Sequence, residues 1–433
     1  MWSSLLQTAF LVVAGCAVTA ILRRVFSRCN TARVHHPNLS SQEIRSNTTT
    51  PLGGGFQREL EDNYGGIVLL RGLFNVPILF VSDAVALHTI VNKEMDIYEE
   101  APPAVSMSYL MFGRGILSTL GHEHRKLRKM MVLEFSTANL RGMISHFYEI
   151  GEKVRDGLMA PQVMAGPQEL NMASILTRTS LELIGRSGLD YSFDPLILDC
   201  PKNEYAETIK NFMPVLGKVA MLLPLLPFFT KFVDASYSGH DRFDGNTAKD
   251  IIKAKKAALQ DGNLESQENM QTGTDIMSVL PDESSRLPDE ELAAQTSSII
   301  FAAMDTTSSA LCRVFNVLAS FPDVQEKLRA EIVEATAHKE NGHLDHDDLM
   351  ELAYLDSVLR EILRLYPPVP TVHRETITPS ILPLGMPITA TDGSTLTSIP
   401  VPKGTPVLIA LAKANHNAAI WGDDAHDTAD NEL

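Results

Sequence analysis

Asp289-Glu-Glu-Leu-Ala-Ala-Gln-Thr-Ser-Ser-Ile-Ile-Phe301-Ala-Ala-Met-Asp305-Thr306-Thr307-Ser-Ser-Ala310-Leu-Cys312-Arg-Val-Phe-Asn-Val-Leu-Ala-Ser-Phe321 is the stretch on which the reading of this chain turns. It is mostly apolar and predicts one helix of about 50 Å, at ~1.5 Å per residue, long enough to cross a whole globular domain. Such a helix is expected to be buried. An acid and two hydroxyls at Asp305, Thr306 and Thr307 are costly to bury unless hydrogen-bonded. Ala302 and Ala303 leave room beside the helix for a ligand. Two readings stay open from these residues alone: a polar pair facing a bound molecule, or a solvent-touching turn whose hydroxyls bond back to preceding carbonyls.

Two further segments carry charge at helical spacing. In Tyr354-Leu-Asp-Ser-Val-Leu-Arg-Glu361-Ile-Leu-Arg364-Leu-Tyr-Pro-Pro-Val-Pro370, Glu361 and Arg364 share a helical face and the prolines end the helix. Taken in isolation the pair reads as a solvated surface pair, which contributes little. In Gly121-His-Glu-His124-Arg125-Lys126-Leu-Arg128-Lys129, His124 and Arg128 stand four apart and can donate together to a carboxylate. The plain alternative there is a basic surface helix.

Around these segments, the 433 residues are 44% apolar and 21% charged, enough to bury a large core and too long for a small binding module. The net charge of −16 repels phosphate backbones and argues against nucleic acid as a partner. Cys16, Cys29, Cys200 and Cys312 form no CxxC pair, so neither a disulfide framework nor a structural zinc site is expected. That usage fits a reducing compartment.

Trp2 to Leu22 carries no charge, and as a helix would span about 31 Å, close to the hydrocarbon thickness of a bilayer. It is expected to be a transmembrane anchor. A cleaved signal peptide fits less well, because nothing basic precedes the apolar run. Arg23, Arg24, Arg28 and Arg33 follow it, which puts the N-terminus outside the cytosol and the body inside. The acceptor patterns Asn38-Leu-Ser40 and Asn47-Thr-Thr49 are then on the side where they escape glycosylation.

Residues 23–60 read as a basic flank and linker, with Gly53-Gly54-Gly55 inside it. Gly66–Gly72 and Val76–Ser82 read as a β-hairpin, and a β-rich patch lies between Ile381 and Leu408. Helical patterns dominate elsewhere. Ser236 to Arg286 is polar and is expected to cover surface. Val105-Ser-Met-Ser-Tyr-Leu-Met-Phe112 and the apolar run from Phe212 to Phe232 are expected to line a pocket for a hydrophobic molecule. The second run, broken by prolines, is also a candidate for a second contact with the membrane surface.

The order of these features resembles a membrane-bound cytochrome P-450 of the fungal microsomal type, from about Leu60 to Gly422. Asp305-Thr306 is similar to the acid–alcohol pair of that family's central helix, and Glu361-x-x-Arg364 to its core motif. Phe321-Pro-Asp-Val-Gln-Glu-Lys-Leu-Arg-Ala-Glu331 and Ile399-Pro-Val-Pro-Lys-Gly-Thr405 resemble the helix that follows and a late β-hairpin. The resemblance implies a mainly α fold with small β-sheets, with a catalytic domain over 61–422 and a divergent acidic tail over 423–433.

It further implies a haem b monooxygenase that inserts one oxygen atom of O2 into a hydrophobic small molecule. Electrons would come from NADPH through the flavin of a partner reductase. Asp305 and Thr306 would then be the catalytic proton relay, His124, Arg128 and Arg374 the holders of the haem propionates, and Glu361 and Arg364 a structural clamp. The face carrying Arg125, Lys126, Arg128 and Lys129 would receive the reductase, and the anchored protein would sit as a single-pass protein in the endoplasmic reticulum membrane with its catalytic domain cytosolic.

Two departures from the family pattern stand out. Ala303 occupies a position where the family usually has glycine. After Trp421-Gly-Asp-Asp-Ala425 the family continues to a Gly-rich loop with the thiolate cysteine, whereas this sequence runs Asp427-Thr-Ala-Asp-Asn-Glu-Leu433. None of its four cysteines has that loop's context, so the expectation is a chain truncated before the axial Cys that supplies the soft donor of this haem chemistry. A catalytically inactive, membrane-anchored, haem-poor homologue or regulator is the competing expectation. A lipid carrier is a third, and it leaves Asp305-Thr306 unexplained.

Overall fold

The computed structural model describes residues 31–35, 42–45, 65–71, 77–132, 136–164, 166–200, 287–339, 341–389 and 394–422, with a few single positions between 203 and 253 and Ala425. The expected anchor, the Phe212–Phe232 run, nearly all of Ser236–Arg286 and the tail after Ala425 lie outside the described residues. Among those described, no helix is long and apolar enough to cross a membrane. The chain divides into two compact units, Met1–Ala101 with Val369–Leu433, and Pro102–Pro368.

The first unit is built on a seven-stranded sheet in the order β2-β1-β3-β4-β9-β6-β5. Its strands are β1 Thr31–His35, β2 Gln42–Arg45, β3 Ile67–Arg71, β4 Pro77–Val81, β5 Tyr98–Glu100, β6 Thr371–Thr376 and β9 Pro406–Ala410. β3 and β4 form the expected hairpin, Ile67 opposite Val81 and Arg71 opposite Pro77. β1 and β2 fall within the segment read as flank and linker, and β1 pairs antiparallel with β3. Near-continuous apolar runs such as Val407-Leu408-Ile409 suit strands covered on both faces. Leu79, Val81, Ile90, Tyr98, Val407 and Ile409 accordingly form the core of this unit.

A separate pair, β7 Ser380–Thr389 and β8 Thr395–Val401, makes the late hairpin. This corrects one expectation. The motif Ile399–Thr405 is not a hairpin; its turn, with Gly404 at φ +76°, carries the chain from β8 into β9 of the larger sheet, where β9 runs parallel to β4. Helix α1, Ala84–His88, is capped by Asp83, whose carboxylate accepts from Val85 N and Ala86 N at 3.0 Å and from Gly385 N at 2.9 Å. One acid thereby fixes both the helix start and the irregular stretch of β7.

The second unit is helical. Its helices are α2 Pro102–Phe112, α3 Gly121–Val132, α4 Thr137–Lys153, α5 Met172–Gly188, α6 Asp289–Ser320, α7 Pro322–Thr336, α8 His346–Glu351 and α9 Ala353–Leu365. Asp289, Glu290 and Glu291 in the first turn of α6 suit the positive end of the helix dipole. α5 is the main partner of α6, and Leu181, Leu189, Ile299, Ile300 and Met304 close the contact. The loop after α5 is held from beneath by the buried carboxylate of Glu182, which accepts from Ser192 Oγ at 2.8 Å, Phe193 N at 2.7 Å and Asp194 N at 2.9 Å. Gly185 is required there, since a Cβ would lie 2.5 Å from Tyr191 O.

The extent of α6 matches the sequence reading, but its burial does not. Every residue from Leu292 to Ile300 is buried, whereas after Ser308 none is, up to Ser320. Apolar composition gives a helix a side to be covered; it does not supply the element that covers it. α5 does so for the first half, while α7 and α9 only flank the second.

Candidate functional site

Asp305 and Thr306 stand where the burial of α6 fades. Both are half-buried, Ala302 one turn earlier is exposed, and the helix runs through them without a break. Thr306 Oγ1 donates to Ala302 O at 2.7 Å, and Ser308 Oγ to Asp305 O at 3.2 Å. In this state the hydroxyl is therefore bonded back to the preceding turn, leaving its lone pairs to accept. Earlier on the helix Thr296 and Ser298 do the same, to Leu292 O at 3.0 Å and Ala294 O at 2.7 Å, which satisfies hydroxyls that are fully buried.

A cavity of about 300 Å³ opens beside Thr306, lined by Thr306, Thr307, Ala310, Leu311 and Val314 of α6, Leu359 of α9, and Pro368. Its walls are apolar apart from the two threonine hydroxyls. Ala303 and Thr307 also border a larger groove of about 530 Å³ between α4, α5 and α6, whose other walls include Met143, Phe147 and Leu183. The extra methyl of Ala303 is thus turned to that groove. Phe112 of α2 meets Phe301 with ring centroids 5.1 Å apart, so the end of the segment expected to line a pocket does pack one turn before Asp305.

α9 is stiffened from within by one pair and held by two contacts from other helices. Glu361 takes two bonds from Arg364, Nη2 at 2.6 Å and Nε at 2.8 Å; the arginine is buried and the glutamate half-exposed. The fork-on-fork geometry makes this stronger than the surface pair its spacing suggested. The guanidinium of Arg313 on α6 lies 3.9 Å from the ring centroid of Tyr366, just after α9. Sequence reading missed the third contact. Glu331 of α7 accepts from Tyr354 N at 2.8 Å and Leu355 N at 2.9 Å, capping the first turn of α9 from another helix. Its only trace in the sequence is that α9 begins after Leu352, which has no side chain able to cap.

His124 and Arg128 lie on α3, where Leu127 is the buried residue, His124 is half-buried, and Arg125, Lys126, Arg128 and Lys129 are exposed. Arg374 belongs to the other unit. It stands opposite Glu100 across β5 and β6, pairs with that carboxylate, and donates to His373 O at 2.9 Å. Burial pushes the Glu100 carboxyl up, and the charge of Arg374 offsets part of that rise. Arg374 can hold an additional anion only by sharing its guanidinium with Glu100.

The residues present fit part of a haem site. The α6–α9 cavity offers apolar walls with a hydroxyl at its edge. The axial thiolate is not supplied by the described cysteines. At about 100° per residue, Cys312 lies roughly 160° around α6 from the mean direction of Thr306, Ala310 and Val314. Cys200 lies in the segment after α5, near Arg178, a residue held by Asp194. Cys16 and Cys29 lie outside the described residues.

Comparison with known proteins gives this geometry a context. The model of the cytochrome P-450 family matches residues 53–427. Cytochrome P-450 monooxygenase 81 of Postia placenta is 37% identical over 397 residues, covering 87% of this chain and 72% of the relative. Monooxygenase 91 of the same fungus is 39% identical over 396 residues, covering 86% and 72%. A ganoderic acid synthetase of Ganoderma lucidum is 35% identical over 400 residues, again covering 86% and 72%. These similarities lend nothing to the haem-free regulator reading.

Proposed function

The chain belongs to the cytochrome P-450 family and is an oxidoreductase of its monooxygenase class, and we propose that Asp305 and Thr306 manage protons for the oxidation of a hydrophobic, membrane-partitioned small molecule. Haem, when bound, supplies the activation of dioxygen. The observation that carries the reading is the Thr306 hydroxyl at the edge of the apolar α6–α9 cavity, with an acid beside it in sequence. A proton leaving Thr306 Oγ1 toward a molecule in the cavity gives up its bond to Ala302 O, and in this proposal Asp305, turned about 100° from Thr306 around α6 and outside the cavity lining, returns a proton through solvent.

In this proposal His124 and Arg128 of α3 hold one set of carboxylates and Arg374 contributes to another, while Glu361–Arg364 keeps α9 in position. The exposed bases Arg125, Lys126, Arg128 and Lys129 receive an acidic flavoprotein reductase that draws on NADPH; so dense a basic cluster in a chain of net charge −16 supports steered encounter. The uncharged segment Trp2–Leu22 supports a single-pass anchor in the endoplasmic reticulum membrane with the catalytic domain in the cytosol.

Thr306→Ala and Thr306→Ser test the central claim. With the haem-loaded enzyme and its reductase, Thr306→Ala is expected to lose product formation by about 10²-fold while Thr306→Ser keeps most of it, in line with loss of a general acid. Equal turnover by the alanine variant and the parent would overturn the assignment.

A further inference from the structure

The α6–α9 cavity has a corner that neither helix supplies. Pro368 lines it, together with Thr306, Ala310 and Val314 of α6 and Leu359 of α9. α9 ends at Leu365, and Tyr366 leaves the helix at φ −127° and ψ 62°, its N–H donating to Ile362 O at 2.8 Å. A residue that precedes proline is kept out of the helical region, and the two that follow here, Pro367 and Pro368, have φ fixed at about −65°. The corner from Tyr366 to Pro368 therefore turns almost as one piece. What places the tyrosine places the proline that walls the cavity.

Arg313 reaches this corner from α6. Its guanidinium lies 3.9 Å from the centroid of the Tyr366 ring. A planar, delocalised cation suits the face of an aromatic ring, where it both stacks and meets the ring's negative charge. Arg313 directly precedes Val314 in the chain and points about 100° away from it around the helix, so it stands beside the cavity wall and outside the lining. The arginine is exposed and the tyrosine half-buried, which puts the cation on the solvent side of the stack. The contact thus bridges α6 and the corner without occupying the space between them.

We propose that Arg313 is a positioning residue for the site: its stack on Tyr366 sets the gap between α6 and the proline corner, and with it the bulk of the apolar molecule that meets Thr306. The proposal rests on the reading of this cavity as the place where that molecule sits. Arg313 acts only through Tyr366 and Pro368. Releasing the stack lets the corner move out and admits broader molecules, while every side chain of the lining stays in place.

The test uses the full chain with Ala310→Cys in the cavity wall and Cys312→Ser beside it. The new thiol is reacted with methyl and with benzyl methanethiosulfonate, and each rate is read from the mass of the peptide that carries position 310. Arg313→Ala is expected to raise the benzyl-to-methyl rate ratio by roughly 2- to 5-fold, the shift in an open–closed balance that an exposed cation–ring contact supports. Tyr366→Leu should raise it as far, and Tyr366→Phe, which keeps the ring face, should hold the parent's ratio. Arg313→Ala combined with Tyr366→Leu should go no further than either change alone. An unchanged ratio in Arg313→Ala, two single effects that add in the double variant, or both rates rising in step as in a general loosening would each overturn the proposal. Where Arg313→Ala does not fold, Arg313→Met, which keeps a long side chain and loses the planar cation, decides by the same ratio. The underlying reading has its own outcome: with the thiol at 310 capped by the benzyl group, product formation by the haem-loaded enzyme should fall. Undiminished product would sink the cavity as the substrate's place and leave the hold of Arg313 on the corner standing.

Discussion

The two halves of α6 share one unbroken backbone and differ in everything that surrounds it. Ahead of Asp305 the helix is walled in by α5, and even Thr296 and Ser298 are buried, their hydroxyls satisfied within the helix. Beyond Ser308 the same kind of apolar sequence is left half-exposed, with Phe315 at 46%. The lesson is where a polar pair can afford to sit. At the boundary, Thr306 touches apolar walls, and the half-buried Asp305 escapes the full desolvation cost that a charge would meet one turn earlier. The candidate site lies on that boundary.

Truncating one residue in each half puts the contrast to its hardest test. Ile300 is wholly buried against Leu181, Leu189 and Ile251, so Ile300→Ala is expected to cost about 2–5 kcal/mol through lost burial and the cavity left behind. Phe315→Ala should stay within about 0.5 kcal/mol, because little apolar area is lost from water-exposed surface. Urea unfolding followed by circular dichroism reads both. Equal losses would mean that the second half is covered after all, and the boundary at Asp305 would lose its meaning.

A smaller effect probes what holds the open half's neighbour. Glu331→Ala should destabilise by about 1 kcal/mol, since two N–H groups in the first turn of α9 lose their carboxylate and the helix dipole loses a counter-charge. Glu331→Gln keeps an acceptor and should cost less. If both substitutions are silent in the same unfolding measurement, α9 is positioned by the Arg313–Tyr366 contact instead.

How much of this was legible beforehand follows from the range of each interaction. The span of α6, the β3–β4 hairpin and the Glu361–Arg364 pair are local, set by spacing along the chain, and they stand where spacing put them. Burial along α6 depends on which helix lies across it, which periodicity does not encode. The cap from Glu331 to Tyr354 joins residues 23 apart, and the Glu100–Arg374 pair residues 274 apart, so neither leaves a pattern in sequence. The turn at Gly404 was legible as a turn, but its destination was not, because β9 pairs with β4 and β6 across the sheet instead of with the preceding strand.

The smallest expected effect is the most discriminating for the site. Thr306 donates to Ala302 O, and that carbonyl lies on an exposed turn where water can take the place of the hydroxyl. Thr306→Val removes the hydroxyl while keeping the branched shape, and the two residues have similar helix propensity. No buried polar group is orphaned, so the change in stability should stay within about 0.5 kcal/mol. A loss above about 1 kcal/mol would show that the back-bond is a tie within the helix, of the same kind as those of Thr296 and Ser298 in the buried half. A silent substitution in the unfolding assay, paired with a large loss of product, would separate the two halves by role as well as by burial: hydroxyls ahead of Asp305 serve the fold, and the one at Thr306 serves the cavity.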